Sequence, residues 1–412
     1  MTAPAPSEID VAAERGGMRA AMHAYVERLK AGDVGSLPVI IALVLIVIFF
    51  SSKSSVFFTA TNFNNLIVQT AATATIAIGV VFVLLLGEID LSIGYVSGIG
   101  GIVVAELQQS GSNHNLGGGA AIVLAVLAGA AIGAAQGSFV AFIGVPSFVV
   151  TLAGLLIWQG VILKALGIQG VIGIQSNLVN NVANYHFSPL AGWILAAIVT
   201  GLYALGAATN WASRRRAGLD PGDLTLAVLR VAAIGIASFG AVAICNHATY
   251  PTGVPFAGVL VVALVAFWSY IARRTTFGRH VYAVGGSAEA ARRAGINVAR
   301  IRILVFIISS AMAALGGIVF AARLSSVDLS AGGGTILLDA ISAAVIGGTS
   351  LFGGRGYVRS ALLGALVIKT IENGLDLLGQ TDWVKDVTTG LILLAAVTLD
   401  TVSRRRLERS GR

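Results

Sequence analysis

The chain has 412 residues, of which 56% are hydrophobic and only 11% are charged, and its mean hydropathy is +0.87. Soluble domains carry about 25% charged residues, so a soluble chain this apolar could not cover its surface. The composition therefore excludes a soluble protein and predicts an all-α, polytopic transmembrane helical bundle. The net charge of +8 lies in short basic clusters between apolar runs, a distribution typical of membrane proteins rather than of nucleic-acid binders.

The first 36 residues are predicted to form a cytoplasmic tail. They include the acidic residues Glu8, Asp10, Glu14 and Asp33, and no apolar core precedes Leu37, so no cleavable signal peptide is expected. Two alternatives stand for this tail. One is a disordered segment. The other is an interfacial helix whose apolar face would carry Met18, Met22, Tyr25 and Leu29.

About 12 apolar segments follow, and most are long enough to cross a hydrocarbon core of about 30 Å. The segment 92–108 ends in Glu106, and the segment 335–351 is short and contains Asp339. Either could be a broken or re-entrant helix, which membrane proteins tolerate only where protein buries it. The segments lie at 37–58, 66–86, 92–108, 119–142, 146–165, 190–211, 224–246, 255–272, 302–322, 335–351, 360–378 and 384–402.

The distribution of basic residues predicts the orientation. An even number of crossings puts both termini on one side, and 21 of the 27 Lys and Arg residues then lie on that side. The positive-inside bias makes this side the cytoplasm. We therefore predict a transmembrane domain over 37–402, with a long cytoplasmic loop at 273–302 and a basic cytoplasmic tail at 403–412.

Catalytic motifs are missing from the sequence. There is no phosphate-binding loop with a Gly-Lys pair, no dinucleotide-binding glycine motif and no zinc-protease motif. The single cysteine and five scattered histidines do not predict a metal site. The chain is therefore expected to be neither an enzyme nor an ATP-binding protein.

The loop 273–302 contains a predicted short helix from Ala288 to Ala294. Ser287 can cap its start and Glu289 lies in its first turn, whereas Arg292 and Arg293 lie in its last turn, where the helix dipole favours cations. Gly295 is placed to end it in a left-handed conformation, and Gly285-Gly286 read as a flexible lead-in. A helix this short needs a packing partner, so it is either a docking helix or part of a solvated amphipathic loop.

Two glycine-rich stretches, GEIDLSIG (87–94) and GGTSLFGGRGYV (347–358), share the spacing G-x-x-x-L-x-x-G. This spacing reflects either an internal duplication, which is common in transporters, or chance. Asp90 or Ser92 can cap the helix that follows the first stretch, or Asp90 can contact a ligand.

Polar side chains at membrane depth are candidates for a translocation pathway or for contacts between helices. Lys369 lies halfway along its segment, and Glu372 and Asp376 follow on nearly the same face. They form either a polar or ion site or a buried pair that orients helices. The candidate pathway residues are Gln69, Thr73, Glu88, Asp90, Gln136, Thr151 and Asn373.

These stretches resemble the permease subunits of bacterial sugar-importing ABC transporters of the ribose, galactose and xylose type. The resemblance covers about residues 62–400, and the xylose type is the most similar, with an extra segment pair expected near 205–247. Lys369 departs from the pattern of the family. The matching motifs are GEIDLSIG (87–94), VPSFVVTLAG (145–154), RTTFGRHVYAVGGSAEAARRAGINVARIR (274–302), LLDAISAAVIGGTSLFGGRG (337–356) and NGLDLLG (373–379).

The resemblance implies a permease in the bacterial inner membrane that acts with other proteins. A cytoplasmic ATPase subunit would bind ATP and Mg²⁺, so this chain would need no cofactor. A sugar-binding protein would dock on the outer face, and a second permease copy would complete the pathway. The resemblance also implies an ATPase-coupling segment, comprising Gly285, Gly286, Ser287, Glu289, Ala290, Arg292, Arg293, Gly295 and Ile296.

Other functions remain open at this point. Related permeases for ribose, galactose, nucleosides or branched-chain amino acids share the same superfamily. A carrier driven by an ion gradient would instead use Lys369, Glu372 and Asp339 to bind ions.

Overall fold

The computed structural model describes residues 37–109, 116–220 and 222–409, so the predictions for the tail 1–36 lie outside the described residues. The described chain is mostly helical, and a helix coincides with each of the predicted apolar segments. In chain order the elements are α1 (Leu37–Lys53), α2 (Ala60–Leu85), α3 (Ile93–Glu106), α4 (Gly118–Ser138), α5 (Ser147–Leu166), β1 (Val171–Gly173), α6 (Asn177–Asn184), α7 (Pro189–Arg216), α8 (Leu224–Asn246), α9 (Phe256–Arg274), α10 (Thr276–Gly286), α11 (Ala288–Arg293), α12 (Val298–Leu324), β2 (Ser326–Asp328), α13 (Ile336–Ile346), α14 (Arg359–Leu377) and α15 (Asp382–Arg409).

Seven helices within the described ranges are long and apolar enough to cross a membrane, and they make this a multi-pass membrane protein. They are α2, α4 with the π-helical turn Phe139–Ile143 that continues it, α5, α7, α8, α9 and α12. Three shorter apolar helices, α1, α3 and α13, accompany them. The number of twelve crossings and the cytoplasmic position of both termini stay predictions.

Helices α2 and α12 form the centre of the bundle, and α3, α4, α13 and α14 pack around them. In α2, 83% of the apolar stretch is buried, against 11% in α7. Small residues allow this close approach: a Cβ on Gly79 would lie 2.7 Å from the carbonyl oxygen of Ser309, and one on Gly129 would lie 2.6 Å from that of Ser310. Close packing of small residues drives helix association in a bilayer, where hydrophobic burial does not.

The helices α7 and α8 form a peripheral pair. They pack mainly against each other, through a hydrogen bond of 3.0 Å between the hydroxyls of Thr200 and Ser238 and a stack of Trp193 on Phe239. Their remaining faces are apolar and exposed, as expected where lipid is the solvent.

A two-stranded antiparallel ladder, which the sequence did not predict, joins the chain after α5 to the end of α12. Val171 pairs with Asp328, and Gly173 pairs with Ser326. The strands are three residues long, so the helical class of the fold is unchanged, but they hold two distant loops together.

The two weakest predicted segments are short, buried helices. At 1.5 Å per residue, α3 with 14 residues and α13 with 11 are about 21 and 17 Å long, shorter than a hydrocarbon core of about 30 Å. Most of α3 is buried, and Asp339 in the first turn of α13 is 1% exposed. Both helices therefore have the burial that a broken membrane helix requires.

Candidate functional site

The loop between α2 and α3 places a buried carboxylate at a junction of helices. Asp90 is 5% exposed, and its Oδ1 accepts hydrogen bonds from the backbone N–H of Ser92 (3.0 Å) and from the Ser92 hydroxyl (2.7 Å). Its Oδ2 accepts one from the hydroxyl of Ser309 on α12 (3.3 Å). Ser92 begins α3 without a side-chain cap, so of the two candidates only Asp90 bonds to the backbone at this helix start.

Gln136 of α4 completes this group, which we call the Asp90 cluster: Asp90, Ser92, Gln136 and Ser309. The Ser92 hydroxyl lies 3.0 Å from Gln136 Oε1, but its one proton already goes to Asp90, and Gln136 Nε2 is buried without a partner. Reversing the amide lets Nε2 donate to the Ser92 oxygen and leaves Oε1 at the position without a partner. The amide rests on Gly154 of α5, where a Cβ would overlap it.

The start of α5 holds the same loop from another side. The backbone N–H of Ile89 donates to the Ser147 hydroxyl (3.2 Å), and the Thr151 hydroxyl lies 3.3 Å from the Ile89 carbonyl oxygen and 2.9 Å from that of Ser147. Thr151 is fully buried, so its hydroxyl contributes a helix-to-loop contact. The loop 86–92 is therefore fixed by α4, α5 and α12 together.

The structure does not bring all the candidate pathway residues together. Asn373 exchanges side-chain hydrogen bonds of 2.8 and 3.0 Å with Asn62 at the start of α2, the end opposite to Asp90. Among the described residues, Gln69 and Thr73 make no hydrogen bond to the Asp90 cluster. Asp90, Gln136 and Thr151 converge on the loop that also carries Glu88, and the sequence analysis missed Ser309.

A cavity of about 200 Å³ lies beside Asp90, between α2, α13 and α15. Asp90 is its single polar lining residue. A sugar buried there would leave most of its hydroxyls without partners, which costs free energy for each one. The cavity in this arrangement therefore does not suit a bound sugar. Its lining residues are Val80, Val83, Leu84, Ile89, Asp90, Ile341, Leu351, Leu393 and Val397.

Lys369 of α14 forms a buried ionic cluster with two carboxylates. Its Nζ lies 2.9 Å from Asp339 Oδ2 and 2.6 Å from Glu372 Oε2, and the Thr335 hydroxyl donates to Asp339 (3.1 Å). The sequence spacing proposed Glu372 and Asp376 as partners of Lys369, and the pairing with Glu372 is confirmed. Asp376 instead pairs with Lys385 at the start of α15, and α13 supplies the second carboxylate.

The short helix predicted in the loop 273–302 is present as α11, and its docking role stays a prediction. The Ser287 hydroxyl accepts from the Ala290 N–H (3.2 Å), and Glu289 pairs with Arg292 and Arg293 at 3.1 Å each. Gly295 has φ +82°, and the Ile296 N–H donates to the Ala291 carbonyl (3.0 Å), which closes a Schellman motif.

The sides of α11 differ in exposure. Only Ala291 is buried, at 4%, whereas the side chains of Arg292 and Arg293 are 65% and 80% exposed. This helix therefore presents a basic surface that nothing in the described chain covers.

The prediction that Gly285-Gly286 form a flexible lead-in is wrong. Both residues end α10, an eleven-residue helix that Thr275 caps through a hydrogen bond to the Gly278 N–H (3.2 Å). Gly285 packs against backbone of α2, so it serves close approach rather than flexibility.

Comparison with known proteins places this arrangement in a family. Residues 62–397 match the model of the family described as branched-chain amino acid transport system / permease component. The chain belongs to this family. The matched residues include the Asp90 cluster, the buried ionic cluster of Lys369, Asp339 and Glu372, and helix α11. The match confirms the prediction of a permease.

Sugar permeases are among the similar proteins. The chain is 35% identical over 408 residues to the xylose transport system permease protein XylH of Escherichia coli, covering 97% of this chain and 98% of the relative. It is 33% identical over 382 residues to XylH of Haemophilus influenzae, with 92% and 100% covered. The ribose import permease protein RbsC of Escherichia coli is 32% identical over 361 residues, with 88% and 92% covered. No solved structure matches the chain.

Proposed function

We propose that this chain is the transmembrane permease subunit of an ATP-driven, binding-protein-dependent importer of D-xylose or a related pentose. The observation that carries the proposal is the similarity to xylose permeases over nearly the whole of both chains. The exposed basic helix α11 supports it, because a permease that does not bind ATP needs a surface for the protein that does.

The remaining parts of the proposal concern partners and location. A cytoplasmic ATPase subunit binds α11 and supplies ATP and Mg²⁺, a sugar-binding protein docks on the opposite face, and a second permease copy completes the pathway. The chain lies in the bacterial inner membrane with twelve crossings and both termini in the cytoplasm. The clustering of Lys and Arg residues on one side supports this orientation.

Deletion of the gene from its own cell, followed by uptake of radiolabelled xylose, tests the function. We expect high-affinity xylose uptake to disappear and to return when the gene is restored. Competition with unlabelled ribose and galactose then ranks the substrates. Unchanged xylose uptake together with loss of ribose uptake would replace xylose with ribose as the substrate.

Purification of the tagged chain in a mild detergent tests the partners. We expect an ATPase subunit with a phosphate-binding loop to co-purify in stoichiometric amount. A chain that is active in xylose transport on its own would contradict an ATP-driven mechanism.

Reversing two charges on α11 is expected to abolish coupling to the ATPase. In Arg292→Glu/Arg293→Glu, xylose uptake should fall at least about tenfold, because a basic docking surface becomes acidic. The thermal stability should stay the same, since these exposed pairs with Glu289 are worth roughly 0–1 kcal/mol.

The matched control for this variant is Arg215→Glu/Arg216→Glu at the end of α7, which makes the same charge change away from α11. Xylose uptake in the control should remain near normal. Equal uptake in the two double variants would exclude α11 as the docking surface.

A further inference from the structure

Helix α11 connects on both sides to the loop that carries Asp90. On its N-terminal side, α10 ends in Gly285-Gly286, and on its C-terminal side, α12 begins at Val298. Helix α12 contacts the segment Gly87–Asp90, at the cytoplasmic end of α2 in the proposed orientation, through an ion pair. Helix α10 packs on Leu85 and on Gly353, which in turn adjoins Gly87.

The first connection is a packing of backbone on backbone. A Cβ on Gly285 would overlap the carbonyl oxygen of Leu85 and would lie 2.8 Å from the N atom of Gly354. The same Leu85 oxygen accepts a hydrogen bond from Gly354 N–H (2.9 Å). Only glycine fits at position 285, because the last carbonyls of α2 and the loop 347–358 occupy the space of a side chain.

Gly353 extends this packing to the Asp90 loop. A Cβ on Gly353 would lie 2.7 Å from the Gly285 carbonyl oxygen and 2.9 Å from the Gly87 N atom. Gly87 and Gly353 both have positive φ, at +76° and +83°. We call Gly87, Gly285, Gly353 and Gly354 the glycine junction. The glycine-rich stretches 87–94 and 347–358 pack against each other at this junction, and the stretch 347–358 also packs against the end of α10.

Tyr282 holds α10 in place against the same loop. Its hydroxyl donates to the carbonyl oxygen of Gly356 (2.7 Å), and burial raises the pKa of this phenol to about 12, so that it remains a donor at physiological pH. The guanidinium groups of Arg273 and Arg359 lie 5.6 and 4.7 Å from the ring centre of the neighbouring Tyr357. Helix α10 and the loop 347–358 therefore form one packed unit.

The second connection is an ion pair. Arg302, in the second turn of α12, lies with its Nε 3.1 Å from Glu88 Oε1, and the two side chains are 29% and 15% exposed. Glu88 stands two residues before Asp90. The chain on either side of α11 is thus linked to the segment Gly87–Asp90, directly from α12 and through Gly353 from α10.

We propose that Gly285 and the Glu88–Arg302 pair are positioning residues that transmit movement of the ATPase-bound α11 to the Asp90 loop. This inference rests on the proposed function. The glycine junction has no side chains that could change rotamer, so a displacement of α10 is passed to Gly87 rather than absorbed. The ion pair does the same from α12, and Asp90 passes the movement to α3 and α12 through Ser92 and Ser309.

The test compares two glycines, one inside and one outside the glycine junction, in the complete transporter. The complex of permease, ATPase and binding protein is reconstituted in liposomes, and the ATP hydrolysed per xylose imported is measured. Gly285→Ala should raise this ratio at least about tenfold while the ATPase stays bound. Gly206→Ala on the peripheral helix α7 is the control and should match the wild type, because a Cβ at Gly206 meets nothing within 4 Å.

An unchanged ratio in an assembled Gly285→Ala complex would overturn the role of the junction. Failure of the wild-type complex to import any xylose would instead contradict the proposed substrate, and the ratio would then be measured with the sugar that is imported. The two failures are therefore distinguishable.

The Glu88–Arg302 ion pair supplies a second test, which does not require that a complex containing the Gly285→Ala permease assembles. Glu88→Gln, Arg302→Met and the double variant form a cycle in which the same ratio is measured. We expect each single variant to hydrolyse more ATP per xylose imported than the wild type. The double variant should show a ratio no higher than that of the more impaired single variant. Ratios at the wild-type level in all three variants would overturn the role of the pair.

Discussion

Replacing Lys369 by methionine is expected to cost more stability than any other single change considered for this chain. The ammonium group pairs with two carboxylates, and the side chains of Asp339, Lys369 and Glu372 are 1%, 12% and 19% exposed. Removing one partner from a buried ionic group typically costs about 3–5 kcal/mol, because the remaining charge stays buried without compensation. The melting temperature of the detergent-solubilised chain, followed by fluorescence-detected size exclusion, should fall sharply.

Two further variants define this experiment. Lys385→Met removes the same type of group from a site with exposed partners. The Lys385 side chain is 22% exposed and pairs with Asp376 and Asp382, which are 50% and 93% exposed, so a shift of roughly 0–1 kcal/mol is expected. In the Lys369→Met background, Asp339→Asn with Glu372→Gln should recover most of the loss. Equal melting temperatures for Lys369→Met and Lys385→Met would show that the buried cluster does not stabilise the bundle.

The position of this cluster explains why its stability matters. Asp339 lies in the first turn of α13, which is too short to cross the bilayer and depends on its neighbours for its position. Lys369 ties that turn to α14, while the loop at the other end of α13 packs against α10. The cluster therefore fixes one end of a broken helix whose other end adjoins the glycine junction.

The apolar pattern of the sequence was sufficient to predict the helices. The segments around α2, α4 and α12 are long, apolar and free of charged residues in their centres, so burial in lipid or protein leaves helix as the one conformation that satisfies the backbone. The three-residue strands β1 and β2 gave no such signal. Their pairing depends on a contact between residues more than 150 positions apart.

The sequence was least informative where tertiary packing decides the role of a residue. Gly285 reads locally as a flexible position, and only the approach of Leu85 and Gly354 shows why glycine is needed there. Glu372 was predicted as a partner of Lys369 because both lie on one helix face. Asp339 was not predicted as one, because it lies on a different helix.

The Asp90 cluster was partly predictable for a similar reason. Asp90 and Gln136 stand out as polar residues in apolar segments, where each costs free energy to bury. Ser309 does not stand out, because a serine in a membrane helix can satisfy its own hydroxyl with a backbone carbonyl. Its bond to Asp90 joins residues 219 positions apart, and no local pattern reports such a contact.

Asp90→Asn should separate the charge of this cluster from its geometry. The amide oxygen can still accept from the Ser92 N–H, and the amide nitrogen can donate to the Ser309 oxygen, so the loop should keep its shape. No basic side chain in the described part of the chain lies within ion-pair distance of Asp90. Removing an uncompensated buried charge should therefore leave the melting temperature unchanged or raise it.

Xylose uptake by the Asp90→Asn variant should nevertheless fall at least about tenfold, since a buried carboxylate without a cationic partner is expected to have a functional role. Ser309→Ala keeps the charge and removes one hydrogen bond worth about 1 kcal/mol, so its uptake measures what the link to α12 contributes when the carboxylate is unchanged. Normal uptake by Asp90→Asn would make Asp90 a structural residue that only shapes the start of α3. Lost uptake with retained stability would mean that the protein tolerates the energetic cost of this charge because transport requires it.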